Sequence, residues 1–460
     1  MHCAKTLYFR FGTGRAFHIR VRLQIIPFFF IFLAPFAAAQ RPDVPSPGRI
    51  DGPVTAAPAL SRNAQAAADR PAMVLTIDRA LALAEQNSPV LRQSEAAVEM
   101  SKAHIQTARA YTNPTIDFLA GHQYGLNVPT PGVPGLLQHY SAGQTIEIPS
   151  ERRARIQVAQ LGYAADQYQL AGVRLSVVAS VKRAFYDVIR RKEQLANAKD
   201  NLALVEDLRR RVGVEVNVGE KGKLELTRAE AELARARAAV NSAAIELAAA
   251  RAVLKAVTGL SATENPDADG SLADQAQLAP LDDLHRQVIA THPALAESSA
   301  RVAQARAVVS NERALRIPQP NLYGEYEHQP DLQFFRVGVN ISIPLWDKRK
   351  GPIQEAQADL SRSEAMSHER ELEITAALDR AYDQYEISNQ QVESLQAGSL
   401  REAETAVDAA QSAYRFGERG IVEVLDAQRV LQGIRTDLLD ALYARQSALI
   451  DLEELGATRQ

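Results

Sequence analysis

The sequence predicts a mainly α-helical protein made of two tandem copies of one long unit, with a small β portion of four strands patterned for a membrane barrel. Three observations predict it. Landmarks recur: Val218-Gly219-Glu220-Lys221-Gly222 returns as Phe416-Gly417-Glu418-Arg419-Gly420, 417 − 219 = 198 positions later. Asn87-Ser88-Pro89 likewise returns as Thr291-His292-Pro293, Asn113-Pro114-Thr115 as Gln319-Pro320-Asn321, and Ile146-Glu147-Ile148-Pro149 as Ile341-Ser342-Ile343-Pro344. Apolar residues three or four apart run on through one very long segment in each copy. A period of two replaces that spacing in two shorter runs per copy. A unit this long is no solenoid repeat; it reads as a duplication whose halves lie side by side.

The chain has 460 residues and a formal charge of −3. No basic stripe is present to neutralise phosphates, which argues against nucleic acid as a partner. The single cysteine, Cys3, lies in a segment expected to be removed. Arg15, His18, Arg20 and Arg22 lead into an apolar run from Leu23 to Leu33, and Ala37-Ala38-Ala39 follows. This is the pattern of a secretory signal over residues 1–39, cut after Ala39. A retained signal anchor is the alternative, but the run is short for a membrane span. No cysteine follows it, so no lipid anchor is expected on the mature chain. Residues 40–74 are rich in Pro, Ala, Gly and Ser without apolar periodicity, the composition of a disordered lead-in. The remainder has no stretch apolar enough for a membrane helix, so any crossing must be made by strands.

Copy one is expected over residues 75–258 and copy two over 281–456, with a linker at 259–280 and a tail at 457–460. Structure begins at Leu75-Thr76-Ile77-Asp78, where Thr76 or Asp78 can cap a helix. Leu81, Ala82, Ala84 and Leu91 mark its apolar face. Pro89 and Pro293 suit a break and restart, because proline fits the first helical position. Those helices run to about Thr112 and Leu315. Strands follow: Ile116 to Tyr124 and Tyr140 to Ile148 around a Pro/Gly loop (Val128 to Gly135), then Asn321 to Glu327 and Phe335 to Ile343. In the last, Phe335, Val337, Val339, Ile341 and Ile343 alternate with Arg336, Gly338, Asn340 and Ser342. Such strands fit a membrane barrel; a half-buried soluble hairpin carries the same alternation.

Long helices are expected next, from about Glu151 to Val214 and from Gly351 to Tyr414, roughly 95 Å each at 1.5 Å per residue. Leu175, Val178, Val181 and Phe185 form the stripe of the first, and Ala377, Leu378, Ala381, Tyr382 and Tyr385 that of the second. Each ends at a glycine-flanked turn and is followed by a return helix, Gly222 to Leu254 and Gly420 to Leu455. Helices this long must pack as coiled coil. Four strands cannot close a barrel, and open edges are not tolerated in lipid. Three chains would supply twelve strands, within the normal range, so the pattern points to an oligomer.

The run from Tyr414 to Ala427, Tyr-Arg-Phe-Gly-Glu-Arg-Gly-Ile-Val-Glu-Val-Leu-Asp-Ala, resembles the periplasmic tip motif of the TolC-like outer-membrane efflux proteins. The opening Leu75-Thr76-Ile77-Asp78-Arg79-Ala80-Leu81 and the strand exit Ile343-Pro344-Leu345-Trp346-Asp347 extend that resemblance over nearly the whole mature chain. It implies a homotrimer: a twelve-stranded barrel in outer-membrane lipid, continued by a helical tunnel through the periplasm. It implies a periplasmic adaptor (membrane fusion) protein and an inner-membrane pump as partners, in a tripartite efflux or type I secretion system. It implies passive conduction, with no cofactor and no chemistry.

The resemblance also assigns residues. Glu423 and Asp426 would ring the narrowest opening and favour cations; acids in a helix's first turns also simply suit its dipole. Tyr414 and Arg419 would latch the two hairpins, with a partner near Glu225, although Lys221, Lys223 and Arg228 depart from the family pattern there. An ordinary surface ion pair is the plainer reading. Gly219, Gly222, Gly417 and Gly420 stop and restart helices, and as tip residues they are where an adaptor would touch. Trp346 and Tyr140 fit an interfacial aromatic girdle or packing where strand meets helix.

No nucleophile elbow, Walker loop or dinucleotide turn appears, and the histidines lack metal-ligand spacing. An adaptor would show one helical hairpin in a small β domain, and a purely structural coiled coil would lack the alternating strands. The exit segments Ile148 to Arg153 and Pro344 to Arg349 resemble the heavy-metal cation-efflux, CzcC-type branch more than the drug-efflux branch.

Overall fold

The computed structural model describes residues 73–124, 133–261, 263–272 and 277–457. The expected signal, nearly all of the lead-in, most of the Pro/Gly loop after the first strand and the last residues of the tail lie outside these.

Two copies of one element order follow each other. Copy one comprises α1 (Ile77–Asn87), α2 (Pro89–Arg109), β2 (Thr115–Gln123), β3 (Gly135–Thr145), α3 (Pro149–Asn217) and α4 (Lys223–Thr258), after a short strand β1 (Met73–Leu75). Copy two, after the short strand β4 (Pro266–Ala268), comprises α5 (Leu281–Thr291), α6 (Pro293–Ala314), β5 (Pro320–His328), β6 (Gln333–Ile341), α7 (Lys350–Ser394), α8 (Leu400–Arg415) and α9 (Ile421–Glu454). A π-helical turn, Leu395–Ser399, joins α7 to α8. β1 and β4 pair in parallel, Leu75 opposite Ala268. They tie the start of copy one to the linker between the copies, and three-residue strands leave no periodicity for sequence reasoning to detect.

Local chemistry explains the boundaries. Thr76 caps α1 by accepting from the Arg79 amide at 3.4 Å. Pro89 and Pro293 do open new helices, capped by Ser88 Oγ and His292 Nδ1. At their far ends α3, α4, the α8 segment and α9 close in one motif: Gly219, Gly259, Gly417 and Gly456 take positive φ, and the next amide reaches back to a carbonyl five residues earlier. Glycine adopts that conformation without a Cβ clash.

The α3 helix, 69 residues and about 100 Å long, is the spine. Along its first half it lies between α2 and α6, shown by Arg174 with Glu95 and Arg301 with Asp166. Along its second half it lies between α4 and α9, shown by Arg191 with Glu246 and Lys182 with Glu453. The second long helix flanks α6 and then α9, with Arg306 paired to Glu364 and Arg435 to Glu404. The result is a layer four helices wide, α2-α3-α6-α7 above and α4-α3-α9-α8 below, against which the short helices α1 and α5 pack near its middle. Apolar residues of the expected stripes, Val181, Phe185, Leu378, Ala381 and Tyr385, are buried, in separate clusters along the layer. One buried Phe or Leu side chain contributes about 1.5–3 kcal/mol.

The sheet is four strands wide in the order β2-β3-β5-β6, all antiparallel. Register gives it two unlike faces. Asp117, His139, Ser141, Glu325, Glu327, Arg336 and Asn340 share one; Arg336 pairs there with Glu325 at 2.6 Å and with Glu327 at 3.0 Å. Ile116, Phe118, Tyr140, Leu322, Tyr326, Phe335, Val337, Val339 and Ile341 share the other, and all are exposed. On that face Phe118, Tyr140, Tyr326 and Phe335 stand in register across all four strands. Neighbouring rings are 4.9 and 6.2 Å apart at the first two steps. Among the described residues β2 and β6 are the unpaired edges of the sheet.

Arg155 holds the sheet to the helices. It forks onto Glu147, with Nη2 3.0 Å from Oε2, and donates to the carbonyls of Ala108 and Ala110 at the end of α2. Glu147 is almost fully buried and also accepts from Thr112 Oγ1 at 2.9 Å. The Arg155 hydrogen bond holds its carboxyl below the usual range against the opposing effect of burial.

Candidate gate at the hairpin tips

The two helical hairpins, α3/α4 and α8/α9, end side by side and share a core. Leu208, Val212 and Ala229 of copy one pack with Tyr414, Ile421, Val424 and Leu425 of copy two. Both turns have the same geometry, with Gly219 at φ 86° and Gly417 at φ 74°. Gly222 and Gly420 are different: they are extended and occupy the N-cap positions of the return helices.

Tyr414 is buried, and its hydroxyl donates to Glu215 Oε2 at 2.6 Å. Burial first, then the bond to Glu215 and the charges of Glu215 and Glu225, push the phenol well above the usual tyrosine range. The hydroxyl therefore stays a donor at any physiological pH. The expected partner Glu225 lies close enough to add its charge but does not receive the bond; one of its carboxylate oxygens is shielded from solvent without a hydrogen-bond partner. Glu215 is the nearer acceptor because it sits on the last turn of α3, directly against the last turn of α8. The Lys221 ammonium stands 5.2 Å from the centroid of the Tyr414 ring. Arg419 is exposed, and among the described residues its side chain has no ion-pair partner.

A second bridge lies farther from the tip. Arg429 of α9 donates to Glu232 of α4 at 2.7 Å. Sequence reasoning missed Glu215, Glu232 and Arg429. A signal was present: the two bridges join residues 199 and 197 apart, within one position of the 198-residue repeat offset. Equivalent levels of the two copies face each other, so charged residues near that offset were candidates.

Glu423 and Asp426 are both exposed near the start of α9. Glu423 Oε2 lies 3.4 Å from where a Cβ on Gly420 would stand, so the carboxylate leans back over the helix N-terminus. That position satisfies the helix dipole. Asp426, one turn on, adds to the field that holds Arg429 charged.

A family model described as outer membrane efflux protein matches residues 80–260 and 284–457, one block per copy. The cobalt-zinc-cadmium resistance protein CzcC of Cupriavidus metallidurans is 25% identical over 393 residues, covering 83% of this chain and 90% of that protein. The nickel-cobalt-cadmium resistance protein NccC of Alcaligenes xylosoxydans xylosoxydans is 27% identical, covering 69% and 71%. The crystal structure of the Campylobacter jejuni CmeC outer membrane channel superposes with a TM-score of 0.72 at 16% identity, covering 83% of this chain and 85% of that one. That likeness carries the fold: mostly helical, in two repeats with a four-stranded sheet. With the family model spanning both copies, the chain belongs to the outer membrane efflux protein family.

Proposed function

We propose that this protein is the outer-membrane exit duct of a tripartite efflux system, a homotrimer that passively conducts cargo delivered by an inner-membrane pump through a periplasmic adaptor. The observation that carries the membrane part of this reading is the two-faced sheet. An apolar face this large, exposed on every strand, marks a membrane or partner surface, and the opposite face is charged as a water-filled lumen requires. The edges β2 and β6 have to be paired in lipid, and three copies joined edge to edge give twelve strands. On β6 the apolar face runs from Phe335 to Ile341, where the strand ends, and exposed Ile343 and Leu345 extend the apolar surface beyond it. The aromatic row through Tyr140 forms one girdle, and exposed Trp346 belongs to the other.

Below the barrel the same four-element layer, repeated three times, makes the helical tunnel, and its tips meet the adaptor through the Gly219 to Gly222 and Gly417 to Gly420 turns. Glu423 and Asp426 line the opening, and Tyr414 bonded to Glu215 forms the latch, with the Glu225 charge beside it and Arg419 exposed at the same tip. Residues 1–39 direct export and are removed. The kinship with CzcC and NccC, together with the strand-exit segments, supports divalent heavy-metal cations as cargo.

Negative-stain electron microscopy of the mature protein extracted from membranes tests this. A threefold tapered cylinder longer than the roughly 100 Å helices is the expected result. A compact or monomeric particle would refute the duct and favour an adaptor or structural coiled coil.

A further inference from the structure

The charged face of the sheet carries one row that charge does not explain. Two residues nearer the helices than the row of Asp117, Ser141, Glu325 and Arg336 stand Thr115, Gly143, Tyr323 and Gly338, in register across all four strands. One aromatic residue is thus set between two glycines on its own face. Glycine inside a strand weakens it and marks the close approach of another group.

At Gly338 that group is the tyrosine. A Cβ built there would stand 2.5 Å from the Tyr323 hydroxyl oxygen, 2.6 Å from Cζ and 2.9 Å from Cε1. The phenol end of the ring therefore lies down on the Gly338 backbone instead of rising from the sheet, and the residue is half-buried. Any side chain at 338 has to lift the ring, because real Cβ atoms do not come that close to other atoms. The tilt is one-sided: a Cβ at Gly143 would meet Thr115 and Asn321 first.

An aromatic ring over an edge-strand glycine stabilises a sheet by itself. The position of this pair gives it a second consequence. In the duct reading this face lines the lumen, and the row recurs three times around it. Twelve strands about 4.8 Å apart at ~40° tilt close a barrel about 24 Å across between backbones. Three rings lying on the wall leave that bore open, whereas three rings raised from it would obstruct it.

We propose that Gly338 sets the bore of the barrel at this level by holding Tyr323 flat against the wall, so that the pair limits the size of cargo able to leave. This rests on the reading of the sheet as one third of a trimeric barrel.

The test is size-graded thiol labelling from outside intact cells. The only cysteine, Cys3, lies in the expected signal. Asn340→Cys therefore supplies a single thiol, at an exposed position on the same face and two residues below Gly338 on β6. Maleimide-poly(ethylene glycol) reagents of increasing length are applied, and the longest that labels Asn340→Cys reports the bore. Labelling by the longest reagents should be lost on adding Gly338→Val and should return when Tyr323→Ala is added to the same chain. Tyr323→Ala alone should leave the limit unchanged, because the ring already lies on the wall.

A limit that Gly338→Val does not lower, or that Tyr323→Ala alone raises, overturns the proposal. A ring with only a stabilising role gives the first of these results, with thermal stability altered and the limit unmoved. Should Gly338→Val fail to assemble, Gly338→Ala and Tyr323→Ala decide in the same way. Val337→Cys, on the opposite face, separates this proposal from the duct reading. It should resist every aqueous reagent, and its labelling in place of Asn340→Cys would refute the duct and the bore together. A shielded Val337→Cys with an unmoved limit would refute the bore alone.

Discussion

Replacing Tyr414 by Phe removes one hydroxyl and leaves the ring in place among Leu208, Val212, Ile421 and Leu425. The lost bond is to a carboxylate, at 2.6 Å, from a buried donor. Hydrogen bonds to charged groups contribute about 1.5–3 kcal/mol, so the ratio of separated to joined hairpins should rise roughly ten- to 150-fold. The Arg429–Glu232 bridge is about half exposed on its arginine side, and such pairs contribute about 0.2–1 kcal/mol. Arg429→Ala alone should therefore change the ratio roughly one- to fivefold. The assay is open probability in planar lipid bilayers. Glu215→Gln keeps an acceptor without the charge and should fall between wild type and Tyr414→Phe. Unchanged open probability in Tyr414→Phe would remove the latch. A larger effect from Glu225→Ala than from Glu215→Ala would restore Glu225 as the working partner and refute the geometric argument for Glu215. Because the phenol is pushed up rather than down, ionisation of Tyr414 itself should not weaken the bond until strongly alkaline conditions.

Other expectations follow from the same geometry. Glu423→Ala combined with Asp426→Ala should lower cation selectivity and relieve block by divalent cations; unchanged reversal potentials would leave both residues in a helix-dipole role only. Arg155→Ala strands the buried Glu147 carboxylate and should destabilise the protein by about 3 kcal/mol, read by denaturation in detergent through Trp346, the single tryptophan. Arg155→Lys should recover less than half of this, because an ammonium cannot fork onto Glu147. Glu147 has a folded pKa below its unfolded value. Its contribution is therefore full above the ordinary carboxylate range and lost as pH falls through the folded value, and a pH-independent Arg155→Ala penalty across the acid range would contradict that. Gly417→Ser forces a Cβ into positive φ and should cost about 1 kcal/mol, whereas Gly420→Ser, at an extended N-cap position that serine suits, should cost nothing measurable; equal losses would be inconsistent with the turn. Trp346 fluorescence should be quenched by lipids brominated near the headgroups, and quenching only by aqueous quenchers would place the strand exit outside the bilayer.

How much was legible in the sequence depended on the range of the interaction responsible. Pro89, Pro293, Gly219 and Gly417 act within a turn, so helix starts and stops were readable to within a few residues. The alternation of Phe335, Val337, Val339 and Ile341 reports which side of a strand meets water, so the two-faced character of the last strand was readable too. The 198-residue offset showed the duplication directly. None of this revealed β1 and β4, which are too short to carry a period and exist because the linker folds back on the start of copy one. Nor could it show that Phe118, Tyr140, Tyr326 and Phe335 form one row, since register depends on how four separate strands are paired.

At the tip the division is sharpest. The sequence by itself determined that two hairpins end in equivalent turns and that Tyr414, Glu423 and Asp426 stand at the second. The tertiary structure alone decided that Tyr414 bonds Glu215, that Glu232 answers Arg429, and that only one of two matching long helices carries a π-helical turn. Helix limits follow from local backbone sterics and hydrogen bonding, which each segment carries with it. The partner of a side chain follows from the rotation and height of one packed helix against another, and that is fixed only when every layer of the core is in place.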